Sequence, residues 1–427
     1  MHQLHTVVFI LSIILFHRSS LWAIADQPDY CRPEELTVAN SHILKSWREN
    51  SLAIGRNVLD QDVISQLRNG FTDIVSEYAV KLAEEKKLSR PASDFLDGRY
   101  TFGEAYTALY EDNRAVNQGK KSDLPLYFRK EAHRPEIYSL ISNKKIRRLI
   151  SCMLHDEDHK LYPVYMMRGK VPDRLSGGIM TVDWHQDAQY TFYWYSDLNT
   201  SLATMNEYAD SIVNIWVPIE DVSIDLGPVQ LVRMSGRQLV KAEMKCKDNN
   251  NTRGDFTSKT NCAESVQPME YLRISGIDEH IAERPDLLQT ATMKRGDVLF
   301  FNQYTYHRAL PNISQNKTRW SLDFRFQRAD ASSLRSEAGF RLDTGDNAIR
   351  SSDDWCAATP SLRFSEIIRQ RRNKERGGNA WGARHLLGNS LPNAMEIRSI
   401  AKNREKRESA KKRKTKVKEH QIQHITV

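Results

Sequence analysis

The chain has 427 residues, 40% hydrophobic and 27% charged, with a formal net charge of +8. That length and apolar content suit one large or two modest globular domains and exclude a chain disordered throughout. The charge is uneven: nine Lys or Arg against two Glu lie between Arg404 and Lys418, so the body is close to neutral and no specific nucleic-acid partner is expected.

Residues 1–25, "MHQLHTVVFILSIILFHRSSLWAIA", read as a signal peptide. The apolar stretch from Val7 to Phe16 is too short to span a bilayer comfortably, and Ala23 and Ala25 form the small-residue pattern that signal peptidase accepts. A signal anchor is the other reading, since no Lys or Arg precedes Arg18. Cleavage would send the mature chain into the secretory pathway, to the ER or Golgi lumen or to the outside. Sequons at Asn199, Asn250, Asn312 and Asn316 agree with that route, and the terminal "HITV" is not an ER-retention signal. In an oxidising lumen the five cysteines can pair. Cys246 and Cys262 flank a polar segment and are the expected disulfide; Cys31, Cys152 and Cys356 stay unassigned, and the odd count allows a free thiol. No Cys-x-x-Cys occurs, so a thiol-rich zinc site has no support.

Residues 26–155 read as a mainly helical region that packs on a core. From Asp60 onward, Val63, Ile64, Leu67, Phe71, Ile74, Val75, Tyr78 and Leu82 recur at spacings of three and four behind an Asp cap. This is an amphipathic helix whose apolar stripe covers one face of a sheet.

Between residues 156 and 330 the texture changes to short β-prone runs: "LYPVYMMR", "GGIMTVDWHQD", "VNIWVPIEDV", "PVQLVRM", "DVLFFNQYTYHR" and "RWSLDFRFQ". Gly, Pro, Asn and Asp turn signals separate them, as in a sandwich or jelly roll. In "RWSLDFRFQ", Arg319, Ser321, Asp323, Arg325 and Gln327 share one face, and Trp320, Leu322, Phe324 and Phe326 the other. Such a polar face normally meets water, but inside a small barrel it can line a ligand cavity. Residues 331–400 form a loop and helical extension, and 401–427 a basic tail, either solvated and disordered or a contact for anionic polymers or membrane surface.

The stretch "TVDWHQDAQY" carries the chemistry. On an extended strand His185 and Asp187 project together while Gln186 points away. His307 stands at the end of the strand that Gly296 and Asp297 begin. Two His and one carboxylate form the facial triad of non-haem iron(II) oxygenases, which leaves three adjacent positions open. A 2-oxo acid fills two of them and dioxygen the third. Its far carboxylate then needs a cation, and Arg319 is suited to accept it bidentately, with the Ser321 hydroxyl as a second donor. A lone His-x-Asp is also a common polar strand end; the order His-x-Asp, His, Arg-x-Ser is what points to oxygenase chemistry. The aromatic cluster Trp184, Tyr190, Phe192, Tyr193, Trp194 and Tyr195 is either a pocket wall or core packing.

"WHQD" at 184–187, "VNIWVPIEDVSIDLGPVQLV" at 213–232 and "GDVLFFNQYTYHRALPNISQNKTRWSLDFRF" at 296–326 resemble the phytanoyl-CoA dioxygenase family of iron(II)/2-oxoglutarate oxygenases, over about residues 55–330. The resemblance implies a mainly β fold with flanking helices around a double-stranded β-helix, a jelly-roll, cupin-like core. It implies His185, Asp187 and His307 as iron ligands, Arg319 as the 2-oxoglutarate anchor, and hydroxylation of a carbon with release of succinate and carbon dioxide. Related halogenases replace the carboxylate with a small residue; Asp187 therefore disfavours halogenation.

Two departures stand out. The interval from Asp187 to His307 is 120 residues, with an insertion at about 235–290, and "RMSGR" stands where a "PGSH"-like turn is usual. No basic patch for a coenzyme A ester is evident, which leaves a small molecule, lipid or secretory peptide as substrate. A reading of a different class is a secreted, non-catalytic jelly-roll module that binds glycans or anionic polymers through its tail. The triad together with Arg319 counts against it.

Overall fold

The alternation in "RWSLDFRFQ" produces the longest strand, and the fold is built around it. The computed structural model describes residue 31 and residues 37–188, 208–236, 242–244, 272–274, 276–332, 339–342 and 348–358. The signal segment, Cys246 and Cys262, residues 190–195, the sequons at Asn199 and Asn250, and the basic tail lie outside these. No helix of the described residues is long and apolar enough to cross a membrane.

The strands are β1 (Leu52–Gly55), β2 (Tyr127–Phe128), β3 (His159–Leu161), β4 (Met166–Lys170), β5 (Ile212–Pro218), β6 (Val229–Val232), β7 (Ala242–Met244), β8 (Leu272–Ile274), β9 (Leu288–Thr290), β10 (Val298–Asn302), β11 (His307–Ala309), β12 (Arg319–Arg328) and β13 (Phe340–Arg341). Eight join one sheet in the order β1-β10-β5-β12-β3-β13, with β4 sharing the β3 side of β12 and β2 outside β4. β11, β6 and β9 form a second sheet, and β7 pairs with β8. All these pairings are antiparallel. The result is an antiparallel, sheet-rich fold of the jelly-roll type with flanking helices.

Register assigns the two faces of the large sheet. Opposite residues share a face, so Trp216 with Asp323 and Asn214 with Arg325 lie on the side that faces the second sheet. On that side Leu52, Trp216, Leu299 and Phe301 pack with Val229, Leu231, Ala291 and Met293. On the other side Trp320, Leu322, Phe324 and Phe326 are buried with the helices. Helix α1 (Val38–Asn50), α2 (Gln61–Glu84), α3 (Phe102–Val116), α4 (Pro135–Ile141) and α5 (Lys144–Leu154) supply that cover. The Trp320 ring centre is 5.0 Å from that of Phe71 on α2, 4.8 Å from Tyr106 on α3 and 5.4 Å from Phe128. Alternation along β12 thus pins one face under the helices and turns Arg319, Ser321, Asp323 and Arg325 inward.

Helix α2 follows the predicted stripe, with Ile64, Leu67, Phe71, Ile74, Val75 and Leu82 buried. Asp60 sits at its N-cap but makes no capping bond; its carboxylate pairs with Lys145 at 2.6 Å instead. The N-terminal region also contributes strands, since β1 runs along β10 and β2 along β4. Two further expectations are corrected. "GGIMTVDWHQD" is not a strand: Gly177 and Gly178 adopt positive φ in a turn, and only His185 bridges to β11. His307 is not at the end of the strand that starts after Gly296; that strand stops at Asn302, and the chain turns to begin β11 in the second sheet.

Cys31 pairs with Cys152 on α5, with Cα atoms 5.6 Å apart, and Cys356 is exposed and free among the described residues. Asn312 is 1% exposed, and its amide donates to the carbonyls of Lys170 and Lys317, each at 2.8 Å. Asn316 is exposed. The fold therefore has room for a glycan at the second of these sequons and none at the first.

Candidate metal centre and co-substrate pocket

His185 and His307 are joined through their backbones, each N–H donating to the other's carbonyl at 2.9 and 3.0 Å. This brings the two imidazoles to a centroid distance of 4.1 Å. Nδ1 of His185 lies 2.7 Å from the carbonyl of Asp183, and Nδ1 of His307 lies 2.8 Å from that of Thr305. A carbonyl can only accept, so Nδ1 carries the hydrogen in both rings and Nε2 presents its lone pair to the site. Asp187 begins a helical turn just after the bridge, and its Oδ1 lies 3.9 Å from Nε2 of His185 and 3.7 Å from Nε2 of His307. One ligand atom from each of the three residues lies within 4.8 Å of the others, and all three residues are buried.

The electrostatics favour a cation at this point. Burial pushes His185 down to about 3, with the neighbouring His307 adding to it, and burial likewise lowers His307. Both rings are therefore neutral ligands at neutral pH. Burial acts to raise the Asp187 carboxyl, but the charge and hydrogen bond of Arg325 together with the two imidazoles outweigh it and hold the group well below the usual carboxylate range. The donor set is two neutral imidazoles and one carboxylate, which fits iron(II) with open positions.

A second group of buried polar side chains lies along β12 and β4. Arg319 is 4% exposed, its guanidinium lies 5.2 Å over the Trp216 ring, and one terminal N–H donates to the carbonyl of Gly227. Gly227 has φ +67°, and a Cβ there would meet the carbonyl oxygen of Leu310 at 2.5 Å, so the turn that aims this carbonyl requires glycine. Among the described residues, Nε of Arg319 and Oγ of Ser321 are buried without a hydrogen-bonding partner. Buried donors of this kind are rarely left unmatched in a native fold, and an Arg with Ser beside it is the donor set a carboxylate requires. Burial pushes Arg319 down to about 10.

Two neighbouring cations are already engaged. Lys170, opposite Arg319, is fully buried and donates to the carbonyls of Met180 (3.0 Å) and Leu310 (2.6 Å) and to the Thr181 hydroxyl (3.0 Å). Burial, with Arg319 adding, pushes it down to about 7. Arg168, opposite Ser321, forms an ion pair with Asp323. Arg319, unlike Arg168, has no carboxylate partner among the described residues.

His185, Asp187 and His307 converge, and Arg319 and Ser321 lie on the inward face of β12, the face whose Arg325 reaches Asp187. Sequence reasoning placed Arg325 on the same face but gave it no part, although Arg325 donates to Oδ2 of Asp187 at 2.7 Å. It gave none to Trp216, Arg168 or Lys170. The inward alternation of β12 marked Arg325; nothing local marked the other three.

The phytanoyl-CoA dioxygenase model matches residues 47–320, more than half of the chain. The chain belongs to the phytanoyl-CoA dioxygenase family. Among solved structures it is similar to the carbocyclase SnoK of nogalamycin biosynthesis, at 15% identity and a TM-score of 0.39 over 70% of this chain and 87% of that one. It is similar to EvdO2 from Micromonospora carbonacea var. aurantiaca complexed with 2-oxoglutarate, at 15% and 0.38 over 67% and 89%. EctD from S. alaskensis, with 2-oxoglutarate and 5-hydroxyectoine, matches at 11% and 0.40 over 70% and 78%. No sequence among curated proteins matches the chain. Iron and 2-oxoglutarate accord with the family, and the donor atoms described above fit them.

Proposed function

We propose that this phytanoyl-CoA dioxygenase family member is an iron(II)- and 2-oxoglutarate-dependent dioxygenase. It hydroxylates an aliphatic carbon of a small molecule, lipid or peptide, releases succinate and carbon dioxide, and acts in the secretory lumen or after secretion. The observation that carries the reading is the convergence of two Nε2 atoms and one carboxylate oxygen, together with an Arg and a Ser whose donors are unmatched on the face of β12 that also sends Arg325 to Asp187.

When bound, iron(II) with 2-oxoglutarate supplies the oxidising chemistry by activating dioxygen. The chain's residues do the rest. His185 and His307 would hold the metal through Nε2, because the carbonyls of Asp183 and Thr305 fix their tautomers. Asp187 supplies the one negative ligand. Arg319 and Ser321 would take the far carboxylate of 2-oxoglutarate and so orient the co-substrate. Trp216, stacked on Arg319, shields that pair from water.

The test is an anaerobic titration with iron(II) and 2-oxoglutarate, watching the weak visible charge-transfer band of the chelate, on wild type, Asp187→Ala and Arg319→Ala. The expected result is a band in wild type that is lost or weakened in both variants, followed by a screen of lumenal metabolites and peptides for succinate release. No band from folded wild-type protein would refute the assignment and leave the non-catalytic binding module, with its basic tail, as the reading.

A further inference from the structure

Oδ1 and Oδ2 of Asp187 are not equivalent. Oδ1 lies 3.9 and 3.7 Å from the two imidazole Nε2 atoms, whereas Oδ2 accepts from Arg325 at 2.7 Å. Arg325 is itself fixed: it lies inside the sheet opposite Asn214, and its other terminal nitrogen donates to the carbonyl of Val164 at 3.1 Å. Both members of the pair are nearly buried, at 13% and 11% side-chain exposure, so the contact is not exchanged freely for water.

Resting on the iron and 2-oxoglutarate reading, we propose that Arg325 is a positioning residue that occupies Oδ2 of Asp187. The carboxylate then offers the metal a single oxygen, and the positions that 2-oxoglutarate needs stay open. A carboxylate free at both oxygens can chelate a metal, and in a six-position shell a second oxygen would claim one of three vacancies. The guanidinium also opposes metal binding, because it is a buried positive charge one carboxylate away from the cation. The arrangement therefore trades metal affinity for a defined ligand geometry and for charge that offsets the dianionic co-substrate.

A purely structural ion pair would behave differently, and the two affinities separate the cases. Wild type, Arg325→Gln and Arg325→Lys are titrated with Mn(II) alone, then, once loaded, with 2-oxoglutarate, by calorimetry and Mn(II) electron paramagnetic resonance. In Arg325→Gln, Mn(II) binds at least as tightly as in wild type, while 2-oxoglutarate binds about tenfold or more weakly, the scale usual for losing a group that orients a ligand. Arg325→Lys keeps the charge but loses the fork that spans Asp187 and Val164. Its 2-oxoglutarate affinity falls between the other two, at unchanged Mn(II) affinity. The proposal is overturned if Mn(II) and 2-oxoglutarate weaken in step, or if 2-oxoglutarate affinity is unchanged in Arg325→Gln. Should that variant not fold, unchanged 2-oxoglutarate affinity in Arg325→Lys overturns it equally. Wild-type protein that binds Mn(II) but no 2-oxoglutarate refutes the co-substrate reading itself, a result distinct from any of these.

Discussion

Replacing Arg319 by Met tests whether its guanidinium is reserved for a ligand. The group is almost fully buried, and the lowering of its proton affinity to about 10 corresponds to roughly 3 kcal/mol of unfavourable charge burial. Against this stand one charged hydrogen bond to Gly227, worth about 1.5–3 kcal/mol, and the stack on Trp216, worth up to about 2 kcal/mol. These terms nearly cancel, so Arg319→Met, which keeps much of the apolar stem, should change stability by no more than about 2 kcal/mol. Co-substrate binding should respond much more: losing one partner of a buried charge pair costs about 2–5 kcal/mol, or roughly 30- to several-thousand-fold in affinity. The assay is thermal unfolding of Mn(II)-loaded protein with and without 2-oxoglutarate. At a thousandfold excess over Kd the wild type gains about 4 kcal/mol, several degrees for a domain of this size at roughly 1–2 °C per kcal/mol. At the same concentration the variant should gain about 2 kcal/mol at the thirtyfold end of that range and almost nothing at the other, so no more than about half the wild-type shift. A wild-type shift in Arg319→Met would refute the anchor assignment. A loss of more than about 4 kcal/mol without ligand would show instead that Arg319 holds the fold together.

His159 on β3 is pushed down to about 4 by burial, so between its ordinary value near 6.5 and about 4 the unfolded chain binds a proton that the folded chain refuses. Stability should be fully present above that window and fall as pH drops through it, and His159→Leu should flatten the slope by up to one proton in denaturation midpoints measured from pH 7 to 4. The Cys31–Cys152 bridge joins residues 121 apart, and a loop of that length is worth up to about 4–5 kcal/mol. Cys31→Ser or reduction should lower the melting temperature by several degrees, whereas Cys356→Ser should leave it unchanged. In a glycosylating host, peptide mapping should find a glycan at Asn316 and none at Asn312 in folded protein, because both Asn312 amide hydrogens are spent inside the fold. Asn312→Ala should destabilise by about 1–3 kcal/mol, since two buried carbonyls lose their donor.

Much of the site could be read from local pattern because strand alternation is a local property. The five inward residues of "RWSLDFRFQ" and the pairing of His185 with Asp187 need only the two-residue repeat and the order of motifs. What stayed hidden depends on register between distant segments. Nothing in the sequence says that Arg325 will meet Asp187, 138 positions away, or that Lys170 will stand opposite Arg319 with all its hydrogens engaged. The extended reading of "TVDWHQD" failed for a related reason: two glycines upstream favour a turn, and one bridge to His307 does the work expected of a whole strand. The expected Cys246–Cys262 pair lies outside the described residues, and the Cys31–Cys152 bridge, which the sequence left unassigned, depends on where α5 brings Cys152. Four-residue β1 and two-residue β2 carry too short a pattern to be distinguished from loop.

The four residues of β1 decide how far the molecule can be shortened. They run antiparallel to β10 from Leu52 opposite Phe301 to Gly55 opposite Val298, and Leu52 itself is wholly buried. A chain started at Asp60, where the long helix begins, would keep every residue of both pockets yet open the flank of β10, a row of apolar residues with unpaired amides and carbonyls. Such an edge recruits other chains, so the shortened protein would be lost to aggregation while its chemistry remained intact on paper. Expression trials for crystallography or enzymology should therefore begin ahead of α1, and the solubility of any trimmed version reports on this one strand before it reports on the active site.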